Sequence, residues 1–299
     1  MSARAPRMPG LAWSKRWRLA LLMTAAAALA LYILAPFSWL VVTTFMHEKD
    51  ALSVPPHWLP VHPTLDNYLT FLNPSGVRAL VGSRAAEDTL PGIANSLIVA
   101  SGTALLNVIL GALAGYSFAR LRFRGQRSLL MIYLGSRMVP GIALIIPLYL
   151  AVRTLGLLDT LPALVLTYLT FTLPFTIWLL KSYFQGIPRA VEEAALVDGC
   201  NCPQMLFKVL LPMAKPGLAG AAMFAFMTAW NDYLFAVILT NTMASKTVTV
   251  VVAGFATDVT TARTLMTTGG VLAVVPPLVL ALLFRKFVVE GLTAGAVKG

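Results

Sequence analysis

The stretch "VEEAALVDGCNCPQMLFKVLLP", Val191–Pro212, decides how this chain is interpreted, because it is a compact, half-polar block in a mostly apolar sequence. Pro188 suits the first turn of a helix, and the acidic pair after Val191 suits the positive end of a helix dipole. Gly199 can end that helix, since glycine tolerates left-handed backbone. Asn201 can then cap a second helix. The pattern predicts two short helices that meet at a tight angle.

The second predicted helix has an apolar side. Leu206, Phe207 and Leu210 are spaced so that they can share one face and pack against neighbouring spans. Small residues on the first helix would let the backbone of another protein approach closely. These features favour a docking element. A long loop that only joins two spans remains the alternative on these grounds.

The composition of the chain indicates a protein with several membrane spans. Hydrophobic residues make up 58% of the 299 residues and charged residues only 12%. Soluble domains have about 45–50% and 25%. The net charge of +11 does not indicate a nucleic-acid-binding protein, because the basic residues fall at the ends of apolar runs. That distribution is typical of a membrane protein, and the predicted partner is the lipid bilayer. Cys200 and Cys202 are too close for a disulfide framework and too few for zinc, and no metal site is predicted.

The predicted fold is an all-α membrane protein with six transmembrane helices. A spanning helix needs about 20 mostly apolar residues. Six windows qualify: Leu19–Phe45, Ile93–Phe118, Leu129–Val152, Leu161–Phe184, Gly217–Leu239 and Leu265–Val289. The first window is longer than the core of a signal peptide, so a retained anchor is predicted.

The distribution of Lys and Arg predicts the orientation. Sixteen of the 23 lie in segments on one side of the six windows and six on the other. The richer side is expected to be cytoplasmic, which places both termini and the loop 185–215 there. The predicted division is a basic N-terminus 1–18, a first helix 19–45, an external loop 46–91, a five-helix core 92–289 with the coupling loop 185–215, and a tail 290–299.

The spacing inside the opening stretch resembles the coupling loop of permease subunits of ATP-binding-cassette importers. The motif begins with Glu193-Ala194-Ala195, and three residues separate it from Gly199. Nine residues then separate Gly199 from Val209, and one residue separates Val209 from Leu211-Pro212. In that family the loop docks into a separate ATPase. The resemblance assigns ATPase coupling to Glu192, Glu193, Ala194, Ala195, Asp198, Gly199, Leu211 and Pro212.

Other stretches extend the resemblance to the maltose-type carbohydrate permeases. These are "IPLYLAV" and "LGLLDTLPALVL", "AWNDYLFAVILTN" at Ala229–Asn241, and the ending "VEGLTAGAVKG". They imply that the solute is a sugar, or a related polyol or glycerol phosphate. In the maltose-type subgroup the tail reaches toward the ATPase, which assigns that contact to Gly291, Leu292, Thr293 and Lys298.

The resemblance also implies the partners. They are a second permease subunit, expected as a heterodimer, two ATPase subunits and an external solute-binding protein. The chain has no Gly-x-x-x-x-Gly-Lys-Ser/Thr loop. It is therefore expected to be a transport subunit and not an enzyme, to bind no cofactor itself, and to leave ATP and Mg to the ATPase.

Polar residues within the predicted spans are candidates for the solute pathway: Arg137, Asn231, Asp232 and Asn107. An ion pair between Arg137 and Asp232 is the alternative for the first, and hydrogen bonds between helices for the others. The remaining alternatives for the whole chain are an ion-coupled secondary transporter, a membrane-embedded enzyme or an importer permease for a non-carbohydrate solute.

Overall fold

The computed structural model describes residues 10–72, 84–257 and 263–296. Every regular element within those ranges is helical. The described residues divide into two compact units. The first comprises 10–72 with 263–271, and the second comprises 84–257 with 272–296.

The described residues form fourteen α-helices. They are α1 Gly10–Thr43, α2 Glu48–Ala51, α3 Asp66–Leu72, α4 Arg84–Arg120, α5 Gln126–Gly135, α6 Ile145–Thr154, α7 Leu161–Gly186, α8 Arg189–Val197, α9 Cys202–Met205, α10 Leu211–Met213, α11 Lys215–Asn231, α12 Leu234–Leu239, α13 Val248–Thr257 and α14 Arg263–Ala296. Short 3₁₀ helices cover Ser136–Met138 and Gly141–Leu144, and a π-helix covers Leu206–Leu210.

Four of the six predicted spans are continuous helices. The helices α1, α4, α7 and α14 each contain a stretch long and apolar enough to cross a membrane. The third predicted span is broken, because α5 and α6 are separated by the two 3₁₀ helices and a bend of 99°. Pro140 lies at the break in extended backbone, where a proline cannot donate the hydrogen bond that a continuous helix requires.

The fifth predicted span is also interrupted. The helix α11 ends at Asn231 and α12 begins at Leu234, so Gly217–Leu239 is not one helix. A second bend, of 80°, separates residues 202–213 from α11. The prediction of a continuous fifth helix is therefore wrong, and counting each bent pair as one span brings the total to as many as six.

Several predicted boundaries differ from those observed. The helix α4 begins at Arg84, inside the predicted external loop 46–91, and α1 begins at Gly10, inside the predicted basic segment 1–18. The helix α14 continues to Ala296, through most of the predicted tail. The helix α13 was not predicted. Its residues Val248, Val251 and Phe255 are buried, so it is a packed element between the fifth and sixth spans.

The first unit is held together by polar contacts that involve residues of the predicted external loop. The carboxylate of Glu48 accepts hydrogen bonds from the backbone N–H of Arg263 at 2.9 Å and of Thr264 at 3.0 Å, and so caps α14. The side-chain amide of Asn67 donates to the carbonyls of Thr44 at 2.8 Å and Met46 at 2.9 Å. These bonds fasten α3 to the end of α1.

The second unit is organised around the contact between α4 and α7. Gly111 and Gly115 of α4 face Thr176 and Leu180 of α7 at a separation that leaves no room for an added Cβ. Small residues at a helix interface let two membrane helices approach closely, and dispersion contacts then stabilise the pair. The closely packed pair α4 and α7 positions the candidate site.

Candidate functional site

Residues 188–213 form a helix–turn–helix and are called the docking segment after the role that the sequence predicts for them. The helix α8 is followed by Gly199 with a φ of +83°. Asn201 accepts from the backbone N–H of Gln204 at 2.9 Å, while the Gln204 side chain accepts from the backbone N–H of Asn201 at 3.1 Å. This capping box satisfies donors at the start of α9. The sequence prediction of two short helices around Gly199 is confirmed.

The docking segment presents part of its motif to the outside. Glu193, Ala194, Asp198, Gly199 and Pro212 are exposed. A shallow groove of about 440 Å³ runs between the two helices, with small and aliphatic residues in its walls: Ala190, Val191, Ala194, Ala195, Cys200 and Val209, with Asp198 among them. The segment therefore offers a concave, mostly apolar surface edged by carboxylates.

Other motif residues face inward. Ala195 is 5% exposed, and Glu192 and Leu211 are half-buried. Of the three residues predicted to share an apolar face, Leu206 and Leu210 are buried but Phe207 is 61% exposed. The prediction for Phe207 is wrong because residues 206–210 form a π-helix. The wider turn of a π-helix does not follow the 3.6-residue period from which the shared face was inferred.

An ion pair attaches the docking segment to the end of α4. The Arg120 guanidinium donates from Nε to the Glu192 carboxylate, and from Nη2 to the carbonyl of Ile187 at 2.7 Å. Both charged side chains are mostly buried, at 9% and 14% exposure. Glu192, which the resemblance assigned to ATPase coupling, is thus engaged within the chain.

A hydrophobic cluster joins the docking segment to three spans. Its buried members come from α4, α7, α11, the docking segment and the two residues that flank that segment: Ala112, Leu180, Phe184, Ile187, Ala195, Met205, Leu206, Leu210, Ala214 and Ala221. Burying such side chains stabilises by about 1.5–3 kcal/mol for each large one. The docking segment and the ends of these spans consequently form one packed body.

Arg137 lies in the 3₁₀ helix Ser136–Met138, at the break between α5 and α6. Its side chain is exposed, and its guanidinium carbon lies 5.6 Å from the ring centre of Phe175 and 5.2 Å from that of Phe224. An arginine over aromatic rings is attracted by their π faces. Arg137 and Asp232 are both described, and no ion pair joins them.

Asp232 caps a helix at the other break. Its carboxylate accepts from the Tyr168 hydroxyl at 3.0 Å and from the backbone N–H groups of Phe235 and Ala236 at 3.0 and 3.3 Å. The Asp232 carbonyl accepts from the Thr249 hydroxyl at 2.7 Å, which fastens α13. These bonds give Asp232 a structural role at the start of α12.

Asn231 and Asn107 have different surroundings. Asn231 is exposed, and its amide donates only to the carbonyl of Met227 in its own helix, at 2.9 Å. Asn107 is fully buried between α4 and α7 and donates to the hydroxyl of Thr172. A solute could not reach Asn107 in this conformation, so Asn107 is better explained as a contact between helices. Arg137 and Asn231 remain the accessible pathway candidates.

The predicted tail contacts fall partly outside the described residues. Gly291, Leu292 and Thr293 lie in the last turns of α14, whose helical backbone is described there. Lys298 lies outside the described residues. Among the residues described, no group of three or more His, Cys, Asp and Glu side chains is placed to hold a metal ion.

Asp159 is an anchoring residue that the sequence analysis did not single out. It has a φ of +60° in the short loop between α6 and α7. Its carboxylate accepts from the backbone N–H groups of Asn241 and Thr242 at 2.7 and 2.9 Å, and from the hydroxyls of Thr242 and Ser245. Hydrogen bonds hold the pKa of Asp159 well below its usual value. The bond from the Ser245 hydroxyl has the largest effect, and the bond from the Thr242 backbone N–H has the next largest. The signal in the sequence that could have indicated this role is an aspartate in a short loop, directly before Thr-Leu-Pro.

The comparisons with known proteins agree with this arrangement. The family model of the binding-protein-dependent transport system inner membrane component matches residues 107–293, which include the docking segment and both broken spans. The chain belongs to this family. It is therefore a multi-pass permease of the cytoplasmic membrane.

Individual relatives match most of the chain. The inner membrane ABC transporter permease protein YcjP of Escherichia coli is 36% identical over 276 residues, which cover 91% of this chain and 94% of that protein. The trehalose/maltose transport system permease protein MalG of Thermococcus litoralis is 33% identical over 285 residues, covering 93% and 96%. A permease chain of a bacterial ABC transporter involved in the import of alginate has the same fold, with a TM-score of 0.76 at 22% identity over 95% of this chain and all of that one.

Proposed function

We propose that this chain forms one half of the translocation pathway of an ATP-driven importer for a carbohydrate, or for a related polyol or glycerol phosphate. The named relatives that support the solute class include permeases of trehalose, maltose and diacetylchitobiose uptake systems. The assembly would contain a second permease subunit, two ATPase subunits that bind ATP and Mg, and an external solute-binding protein. Both termini and the docking segment would lie on the cytoplasmic side.

The docking segment is the observation that carries this proposal. It presents an exposed groove lined by small residues, and its other face is packed against α4, α7 and α11. A partner that pushes on the groove would therefore move the ends of three spans together. Rigid-body motion of packed elements is a common way for such proteins to change between two states.

The two broken spans support a pathway between them. Arg137 and Asn231 lie at the two breaks, and both are exposed. An ionisable group at membrane depth is costly unless it faces water, a partner or the bundle interior. A hydrated pathway at this level would satisfy that condition, and Arg137 would then contact hydroxyl or acidic groups of the solute.

The docking role can be tested with a bulky substitution in the groove. Ala194→Trp should block close approach of the ATPase, because Ala194 is exposed and lines the groove. Arg124→Trp is the matched control, since Arg124 is exposed in the loop next to Arg120 but outside the docking segment. We expect the first variant to reach the membrane normally, to lose co-purification with the ATPase and to lose ATP-dependent uptake. Normal co-purification of Ala194→Trp would refute the docking role.

A further inference from the structure

A second cavity lies between the ends of α4, α5 and α7 and the start of α8, where Arg189 of the docking segment forms part of its wall. It has a volume of about 390 Å³. Five basic side chains line it: Arg120, Arg122, Arg127, Lys181 and Arg189. None of the residues in its wall is acidic. Such a concentration of positive charge in one concave site is suited to an anion.

Four of these five charges are unpaired. Arg120 is engaged by Glu192 and the carbonyl of Ile187. The side chains of the other four, Arg122, Arg127, Lys181 and Arg189, make no hydrogen bond or ion pair with any described residue. The mutual repulsion of these cations is offset when an anion binds among them. Arginine also bonds phosphate oxygens in pairs.

The cavity is held in shape before any ligand binds. The loop 121–125 that forms one wall is fixed by Gln126, whose amide donates to the carbonyls of Phe118 at 2.6 Å and Leu121 at 3.1 Å. The rings of Phe118 and Phe123 pack at 5.5 Å. A site whose walls are already ordered loses little conformational freedom on binding.

The surroundings of the cavity favour a lipid over a free anion. On α5 the side chains that follow the cavity wall are apolar and exposed, with Leu129 at 49%, Met131 at 58% and Ile132 at 70%. On α7 the exposed Trp178 lies one turn before Lys181. A change from exposed apolar residues and tryptophan to basic residues is typical of the membrane–water boundary. A headgroup in the cavity would place its acyl chains along the apolar surface of α5.

We propose that this cavity binds the phosphodiester headgroup of an anionic phospholipid. Basic pockets between the ends of membrane helices are a recognised form of headgroup site. The inference is independent of the transported solute. The lipid would also neutralise the charges beside the Arg120–Glu192 pair, and so brace the attachment of the docking segment to α4.

The test measures lipid binding to the full chain, with any partner subunits that co-purify. The delipidated protein is titrated with palmitoyl-oleoyl-phosphatidylglycerol, and bound lipid is counted by native mass spectrometry. The variant is Arg127→Gln/Arg189→Gln, and the matched control is Arg124→Gln, which removes a charge near the cavity but not in its wall. Each removed charge should weaken binding about fivefold, or about 25-fold for the pair.

Two further arms identify the source of the phosphate. Phosphatidylcholine with the same acyl chains should bind weakly, because its headgroup has no net charge. Inorganic phosphate should not displace bound phosphatidylglycerol at equal concentration. Unchanged binding in the double variant, equal binding of phosphatidylcholine, or displacement by inorganic phosphate would each overturn the proposal. The single variant Arg122→Gln repeats the test if the double variant does not fold.

Discussion

Gly217 is the residue at which a single added carbon should do most to disturb the base of the docking segment. It is buried near the start of α11, against the ring of Tyr183 on α7. A Cβ at this position would lie 2.5 Å from Cγ and 2.6 Å from Cδ2 of Tyr183. Carbon atoms normally approach to about 3.5–4.0 Å. Gly217→Ala therefore requires the ring or the helix to move by about 1 Å.

The size of the effect follows from two opposing contributions. Overpacking of this kind costs about 1–3 kcal/mol. Alanine is preferred over glycine in a helix by about 0.5–1 kcal/mol. An overlap to 2.5 Å is severe, so the upper half of the overpacking range applies, and we expect Gly217→Ala to lower the free energy of unfolding by about 1–2.5 kcal/mol. Gly220→Ala is the matched control, because it lies in the same helix and an added Cβ there has no atom within 4 Å.

The measurement is unfolding of the purified chain from mixed micelles by increasing dodecyl sulfate, followed by circular dichroism. Gly220→Ala should be as stable as the parent or slightly more so. Tyr183→Ala should remove most of the penalty when it is combined with Gly217→Ala, because the clashing ring is then gone. Equal stability of Gly217→Ala and the parent, or no recovery in the double variant, would refute the packing argument.

Three more outcomes are expected. Glu192→Gln should reduce solute-stimulated ATPase activity of the assembled importer. In a double-mutant cycle with Arg120→Gln, the free energies of unfolding should give a coupling energy of about 1–3 kcal/mol, and strictly additive effects would argue against a stabilising Arg120–Glu192 ion pair. Asp159→Asn should destabilise by about 1–2 kcal/mol at neutral pH. Because the folded pKa of Asp159 is lowered, its contribution is fully present above the unfolded pKa of about 3.9 and is lost progressively as pH falls from there through the lower folded pKa, so the stabilities of variant and parent should converge only in strong acid. Arg137→Ala should reduce uptake far more than membrane abundance, whereas equal loss of both would indicate a structural role.

The docking segment could be predicted in detail because its signals are local. Gly199 and the pair Asn201 and Gln204 act within a few residues of chain, and the structure shows the left-handed turn and capping box that they favour. The shared apolar face inferred for Phe207 is wrong because residues 206–210 form a π-helix, which does not follow the 3.6-residue period. Turn and capping residues therefore predicted the helices of this segment more reliably than the spacing of its apolar residues did.

The contacts that complete the site could not be predicted from the sequence. Arg120 and Glu192 are 72 residues apart, and nothing in either local pattern indicates the other. The breaks after Gly135 and Asn231 interrupt windows that are apolar on average although they contain Arg137, Asn231 and Asp232, so hydropathy predicted continuous spans. The hydrogen bond from the Tyr168 hydroxyl to Asp232 joins residues 64 apart in the chain, so no local pattern around Asp232 indicates it.

The hydrophobic cluster beneath the docking segment limits how this permease can be re-engineered. A chimera that exchanges residues 191–212 for those of another permease would also exchange Ala195, Met205, Leu206 and Leu210, which are packed into the spans. The exchanged residues would change which ATPase the segment prefers, and they would also pack poorly against the spans beneath it. Transplanting only the outward residues, such as Glu193, Ala194 and Asp198, would separate the two. The transferable unit is therefore a surface and not a segment of chain.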